Sequence, residues 1–409
     1  MKYLITILTL FFFADCVAQN ENKMRIRGFV DTYHAVRVKK PNDFLSSRTR
    51  FRGELEMING KSYFFTSVNA IHNKVLPDLS AIQFREAYLE YNGEKWGFKA
   101  GKQIVIWGKA DGLRITDVIS PMDLSEFLAQ DFDDIRIPVN ALIVSKFGKN
   151  WDLDLIFVPV FTGFVLPGND NPWALSSPSE NNNIVYEEAE TPEASLSNLE
   201  FGGKLSYYFS GIDFEFYALR TWNKAPVYTR YLDDSISTMH LKPEHHRLGF
   251  IGASFSKSVK SVVIRGEGAF YFDKKFSADV EHFSAGLFTS NSIHYLIGID
   301  WYPGNDWTVT GQFSDEQITN YEPKIDRQKH DYITTLGITR KLFRSTLTLS
   351  TFSYIGLNEG GVFSRLSGDY SLSDNIHLMT GCDWFNGDKG LFGQYKNNSQ
   401  IWFKAKYNF

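Results

Sequence analysis

The chain has 409 residues, of which 22% are charged, and a net charge of −4; so mild an acidity gives no reason to expect a nucleic-acid partner. Aromatic residues reach 16% while hydrophobic residues total only 43%, and beyond the first residues no stretch of about 18 apolar residues offers a spanning helix. A membrane barrel uses aromatics in this way, placing them in girdles at two interfaces around a polar interior.

The first residues read as a secretory leader. Lys2 supplies charge, Tyr3 to Phe13 the apolar run, and Cys16-Val17-Ala18 the small-residue exit. Residues 1–18 are expected to be a signal peptide, leaving 19–409 as a single barrel domain. A lipoprotein-type cut before Cys16 is the rival, and Asp15 stands where that cut needs a small residue. Without Cys16, Cys382 is alone and no internal disulfide forms.

From Met24 onward, apolar and polar residues alternate with the period of a strand. In the last segment Ile401, Phe403, Ala405, Tyr407 and Phe409 alternate with Trp402, Lys404, Lys406 and Asn408. Helical spacing would scatter the lysines over the apolar face. The pattern predicts 18 strands: 24–37, 47–58, 61–73, 82–92, 95–104, 139–148, 151–163, 196–209, 211–223, 244–257, 260–273, 291–303, 305–317, 330–342, 344–356, 360–372, 374–386 and 397–409. Sixteen would remain if one weak hairpin is misread. The expected fold is all-β, a transmembrane antiparallel up-and-down barrel. A soluble sandwich or propeller would explain the alternation, but not the lack of an apolar inner face on many strands.

The connections carry separate information. Tight links such as Asn59-Gly60, Ser210-Gly211 and Pro303-Gly304-Asn305 have hairpin chemistry. They alternate with long links at 105–138, 164–195, 224–243, 274–290, 318–329 and 387–396. Short periplasmic turns alternating with long outer loops is the barrel pattern, so both ends are expected in the periplasm. Link 105–138 is then the third outer loop, after 38–46 and 74–81. It carries Trp, Ile, Leu and Phe as well as charge, and is expected to fold inward as a constriction.

Candidate site residues follow. Arg48, Arg50 and Arg52 share one strand parity, and lipid exposure of arginine is costly, so that face should be the lumen. Arg25, Arg27 and Lys99 extend this basic wall. Lys109, Asp111, Asp117 and Asp123 of the long link are expected opposite it, with Arg114 bridging, and the acidic run Asp131 to Asp134 follows. Such a transverse field would set solute selectivity; a salt-bridge lattice that only fills the lumen is the competing account. No cofactor or metal is expected: adjacent His245 and His246 would point to opposite faces of a strand, and no zinc spacing occurs.

Two resemblances add to this reading. The final strand, with Phe409, Tyr407, Phe403 and Ile401, resembles the signal read by the barrel-assembly machinery of Gram-negative bacteria. The run containing Gly101, Lys102, Gln103, Trp107, Gly108, Asp117, Pro121 and Asp123 resembles a motif of an uncharacterised proteobacterial outer-membrane family. That resemblance implies a porin-like barrel, and for some members a tie to hydrophobic, lipid- or sterol-like cargo. The layout is also similar to general and substrate-specific porins with an inward-folded third loop. The expected function is therefore a non-enzymatic channel for passive uptake of a small solute across the outer membrane. The alternatives are a plugged barrel serving an envelope transport or assembly system, and an outer-membrane hydrolase. A homo-oligomer is left open.

Overall fold

The computed structural model describes residues 23–130, 134–168, 170–174, 184–233 and 238–409. The expected leader over 1–18 lies outside the described residues, as do Asp131, Phe132 and Asp133. The strands in chain order are β1 (Lys23–Arg37), β2 (Phe44–Asn59), β3 (Ser62–Asn73), β4 (Ala81–Asn92), β5 (Trp96–Gln103), β6 (Val139–Phe147), β7 (Trp151–Val158), β8 (Ile184–Tyr186), β9 (Glu200–Phe209), β10 (Ile212–Trp222), β11 (Val227–Asp233), β12 (Thr238–Glu244), β13 (Arg247–Val259), β14 (Val262–Ser277), β15 (Leu287–Gly304), β16 (Trp307–Ile318), β17 (His330–Leu342), β18 (Leu347–Gly356), β19 (Val362–Ser371), β20 (Ile376–Asn386) and β21 (Gln400–Asn408).

All but β8, β11 and β12 form one 18-stranded antiparallel sheet, and β1 pairs with β21, so the sheet closes on itself. Closure satisfies every edge, which is what a sheet in lipid requires. Side-chain alternation fixes which face is which. On β15, Ile293, Tyr295, Ile297, Ile299 and Trp301 are exposed on the outer wall, while Ser292, His294, Leu296 and Asp300 are buried inside. On β21, Ile401, Phe403 and Tyr407 point out and Gln400, Trp402 and Lys404 point in. A large apolar belt on the outside with polar groups inside is inverted for water and correct for lipid.

Short turns and longer links alternate between consecutive barrel strands. The β15–β16 turn has positive φ at both Asn305 (51°) and Asp306 (61°), the geometry that matches the twist of paired strands. Both described ends of the chain lie at the short-turn end: Phe409 and Gly28 exchange backbone hydrogen bonds at 3.0 Å in each direction.

Two expectations need correction. The strand expected over 151–163 stops at Val158, because Pro159 has no N–H for the ladder. The links expected over 164–195 and 224–243 are not wholly irregular: β12 pairs antiparallel with β11 and parallel with β8 in a separate small sheet at the long-link end.

Among the described residues, the two larger of the four buried apolar clusters are built around the link 104–138. Val105, Trp107, Ile115 and Ile119 pack on inward residues including Tyr217, Leu219, Leu248, Phe250 and Leu296. Phe127 and Ala129 pack on Leu45, Phe363, Phe385 and Tyr395.

Candidate functional site

The link begins where β5 ends, and its motif residues are the ones that fold it inward. Gly101 has φ of 132°, and a Cβ there would lie 2.3 Å from the Ala87 carbonyl oxygen, so only glycine lets β5 approach β4 at this point. Gln103, fully buried, donates from Nε2 to the Ala141 carbonyl at 3.0 Å. The Trp107 ring stacks on Tyr217 at 5.3 Å, and its backbone N–H reaches Asp117 Oδ1 at 3.3 Å. Asp117 Oδ2 also takes Arg136 Nε and Nη2 at 3.1 and 3.0 Å. The backbone N–H groups of Ile137 and Asp123 donate to Pro121 and Ile135 at 2.8 and 2.7 Å, tying the outgoing and returning strands of the loop together.

The loop is fastened to the wall on nearly every side. On β14, Glu267 accepts the backbone N–H of Ala110 (2.6 Å) and of Thr116 (3.1 Å), the Thr116 hydroxyl (2.8 Å), and the Lys109 N–H. On β16, Gln312 exchanges two hydrogen bonds with the Asp111 backbone at 3.0 and 2.7 Å. On β18, the Tyr354 hydroxyl donates to the Gly112 carbonyl at 2.9 Å. On β19, Arg365, itself held by Asp383, donates to the carbonyls of Gln130 (3.0 Å) and Leu128 (3.3 Å). On β2, the Ser46 hydroxyl donates to Glu126 at 3.0 Å, and Arg50 and Arg52 reach Asp134 at 2.6 and 2.8 Å.

Most of the charge in this buried layer is paired, as burial demands. Burial alone would raise the Asp134 carboxyl, but the guanidiniums of Arg50, Arg52 and Arg85 hold it well below the usual carboxylate range. Glu126 shifts the other way: burial pushes it up, and Arg48 and the Ser46 hydroxyl offset only part of that.

Arg48, Arg50 and Arg52 lie on the inward face of β2 and line one cavity with Asp123 and Glu126 of the loop, but Asp111 and Asp117 lie elsewhere. Arg50 binds Asp31 of β1 at 2.6 Å as well as Asp134. Arg52 is held by Asn69 at 2.7 Å and by Asp134. Arg48 stacks over Tyr33 at 5.4 Å, and its buried Nε has no hydrogen-bond partner among the described residues. The loop acid paired with the ladder is therefore Asp134, from the far end of the loop, while Glu126 lies within reach of the Arg48 charge. Asp111 pairs with Arg265 at 2.5 Å and Lys109 with Glu215 at 3.1 Å, both on other strands. Asp123 caps the backbone N–H of Ser125 at 2.9 Å, and Asp117 stays inside the loop. Arg114 bridges nothing across the lumen: its Nε and Nη2 donate to the Asp117 and Ser120 carbonyls, each at 2.6 Å. Arg27 pairs with Glu54 and Glu56 near the short-turn end, and exposed Arg25 is the cross-strand neighbour of Glu56. Lys99 sits 4.0 Å over the Tyr88 ring. Parity gives a residue its face; depth and partner depend on which strand the loop reaches.

Glu267, Gln312, Tyr354 and Arg365 were not singled out from the sequence. Their only local signal is a polar or aromatic side chain at an inward position, which many strand residues share. Two other constellations resolve plainly. The Ser292 hydroxyl and Glu316 Oε1 both approach Nε2 of His294, at 2.9 and 3.5 Å, so the ring cannot relay a proton between them as a hydrolase triad would. His245 bonds through Nδ1 to the Asn223 carbonyl at 2.9 Å, while His246 turns Nε2 toward Glu244 at 3.9 Å, so the pair does not converge.

The chain is similar in structure to OccAB1 of Acinetobacter baumannii, with 8% identity, 95% of this chain and 96% of that chain covered, and a TM-score of 0.56. It is similar to OccK11 (OpdR) of Pseudomonas aeruginosa, with 9% identity, coverage of 94% and 96%, and a TM-score of 0.52. It also matches the outer membrane channel DcaP of Acinetobacter baumannii, with 9% identity, coverage of 95% and 97%, and a TM-score of 0.48. At such identity the likeness shows the fold: a closed 18-stranded porin-like barrel of the outer-membrane type. No curated protein matches the chain. Residues 77–409, which contain the whole lumen loop and its motif, match one family, and the chain belongs to it: the family described as "Protein of unknown function (DUF1302)".

Proposed function

We propose that this chain is a substrate-selective channel of the outer membrane, with its short turns and both ends on the periplasmic side and its long links outside. One observation carries the reading: the loop 104–138 lies across the lumen and is tied to opposite walls, through Ala110 to Glu267 and through Asp134 to Arg50 and Arg52. A barrel that admitted any small solute would not need its bore crossed by a fastened, partly apolar layer. The loop instead leaves cavities of limited size beside it, which is how a passage discriminates by shape and charge. No covalent chemistry is part of this proposal. Phe409 on the closing strand would serve recognition by the barrel-assembly machinery, and lipid would cover the apolar outer wall.

Single-channel recording of the full chain in planar bilayers tests this. Small, discrete conductance steps are expected, and removal of residues 109–134 should enlarge them. A full-length barrel and a deletion variant that are both silent would defeat the proposal. The fastening of the loop around so much of the wall also favours a second reading, a plugged barrel acting as the outer-membrane partner of an envelope transport or assembly system. A silent full-length barrel with a strongly conducting deletion variant would select it.

A further inference from the structure

The outer wall is not uniformly smooth. Near the short-turn end, β16 to β20 leave a groove of about 610 Å³ on the face turned to lipid. Strand pairing explains its shape. Arg340, Leu349, Gly368 and Thr380 stand side by side in one cross-strand row, and Ile338, Thr351, Leu366 and Cys382 in the next, further from the short turns. Gly368 puts no side chain between Leu349 and Thr380, so the wall is hollow there, while Leu349 and Leu366 stand exposed beside it. In hydrocarbon such a hollow is not closed by the hydrophobic effect, because lipid tails are as apolar as leucine. It is filled when a chain lies in it, since an empty hollow forfeits dispersion contacts along its lining.

One end of the groove is charged. Arg340 lies near the end of β17 at Leu342, exposed on the outer face, with its guanidinium 4.8 Å from the centre of the Trp307 ring, which also lines the groove. The ring holds the side chain at the mouth. No carboxylate lines the groove, and Arg340 has no ion-pair partner among the described residues. The neighbouring short turns carry Arg344 against Asp306 and Asp374, so the rim as a whole is not basic and does not draw anions in general. What the groove offers is one unpaired guanidinium at the depth of the interface, marked at this end by exposed Trp301, Tyr302 and Phe343. An arginine at that depth costs about 0–1 kcal/mol, against about 2–4 at the midplane. A guanidinium can take two oxygens of one phosphate. A second copy of the chain fits the groove less well: a two-fold contact presses a patch on itself, and would bring two Arg340 side chains together with no carboxylate in the lining to offset them.

We propose that this groove is a binding site for one phospholipid of the membrane, with an acyl chain lying along Leu349, Gly368 and Leu366 and its phosphate taken by Arg340. The group recognised is the phosphate, which every phospholipid carries, and not a net negative charge. The inference goes beyond the channel reading: it depends on the wall lying in lipid and not on conduction.

The test is native mass spectrometry of the full detergent-solubilised chain with added dioleoylphosphatidylethanolamine, set against dioleoylglycerol, which lacks the phosphate, and glycerol 3-phosphate, which lacks the chains. One phosphatidylethanolamine should stay on each chain and bind about tenfold or more tightly than either. Arg340→Gln should weaken it about tenfold, whereas Arg344→Gln in the adjoining turn should leave it unchanged. Gly368→Leu should fill the groove and displace the lipid. A Cβ at that position meets only Leu349 Cδ2 at 3.4 Å, an ordinary contact, so this variant should keep the heat-modifiable gel mobility of a folded barrel. The inference is overturned if dioleoylglycerol or glycerol 3-phosphate matches the phospholipid, if folded Arg340→Gln and Gly368→Leu barrels bind like the parent chain, or if Arg344→Gln weakens binding as much as Arg340→Gln. A dimer that Gly368→Leu separates would give the groove to a second copy and overturn it too. Conductance is recorded separately. A conducting barrel that retains no phospholipid defeats this inference alone, whereas a silent barrel that retains one with the stated selectivity keeps the lipid site and defeats the channel.

Discussion

Gly108 lies directly against Glu267: a Cβ on Gly108 would stand 2.8 and 2.9 Å from the two carboxylate oxygens and 2.3 Å from the Thr116 hydroxyl. One residue belongs to the Trp-Gly pair of the loop motif, the other to the middle of β14. The carboxylate gathers the N–H groups of Ala110 and Thr116 only because nothing projects from Gly108 between them. The motif therefore encodes a docking joint, with Trp107 packed on Tyr217 beside it.

Gly108→Ala should undo that joint. The residue sits at φ of 92°, where a side chain costs about 1–3 kcal/mol in backbone strain, and the contact with Glu267 adds to it. Larger single-channel conductance is expected, with unchanged heat-modifiable mobility of the barrel. Parental conductance would mean that the loop does not depend on this joint.

The arginines of β2 should separate into two behaviours. Arg50 is nearly fully buried and serves Asp31 and Asp134 together. Arg50→Gln removes the nearest cation from two buried carboxylates, leaving Asp31 with Lys404 at 3.5 Å and Asp134 with Arg52 at 2.8 Å, so the loss should approach but not exceed the about 3–5 kcal/mol typical of breaking a buried pair. Urea unfolding in lipid vesicles should register that loss. Arg48 stacks on the Tyr33 ring and makes no salt bridge among the described residues, acting on Glu126 only at longer range, so Arg48→Gln should cost less stability than Arg50→Gln and shift ion selectivity toward cations. Equal effects of the two changes would refute this division of roles.

The joint at Asp134 sets a pH dependence. Its carboxyl is held well below the usual range by Arg50, Arg52 and Arg85 despite burial. A depressed folded-state value means that the stabilisation is complete above the ordinary aspartate value of about 3.9 and is lost only as pH falls through the depressed one. Unfolding in urea should therefore show the same penalty for Asp134→Asn at pH 7 and pH 5. A penalty that disappears between pH 7 and pH 5 would contradict the pairing.

Much of the barrel could be read from alternation, and little of the loop's docking could. The strand expected over 330–342 is His330–Leu342, because outward Tyr332, Leu336 and Ile338 alternate with inward Asp331, Thr335 and Thr339. β8, β11 and β12 were missed because they are short, mixed in polarity and stabilised by one another, with no lipid face to impose a pattern. Parity put Arg50 on the inner face, but Asp134 lies 84 residues further along the chain and Glu267 lies 157 beyond Ala110. Nothing local in the sequence couples such positions. The loop motif was visible as a pattern, and its meaning emerged only when Gly108 was found against β14.

The last prediction concerns the wall itself. Ile297 and Thr310 are close in the β15–β16 hairpin, yet Ile297 is 54% exposed on the outer face, while Thr310 is paired with inward Asp300. An arginine at the first position would have to sit in hydrocarbon, at a cost of about 2–4 kcal/mol near the midplane. At the second position it would enter the polar inner face beside Asp300, a carboxylate now shared only with Arg265, where its charge finds a partner. Ile297→Arg should thus lower unfolding stability in vesicles markedly while leaving ion selectivity alone. Thr310→Arg should do the reverse, with little loss of stability and a shift toward anions. If both arginines were equally tolerated, the outer face of β15 would not be in lipid, and the passage argued from the inner face would lose its physical basis.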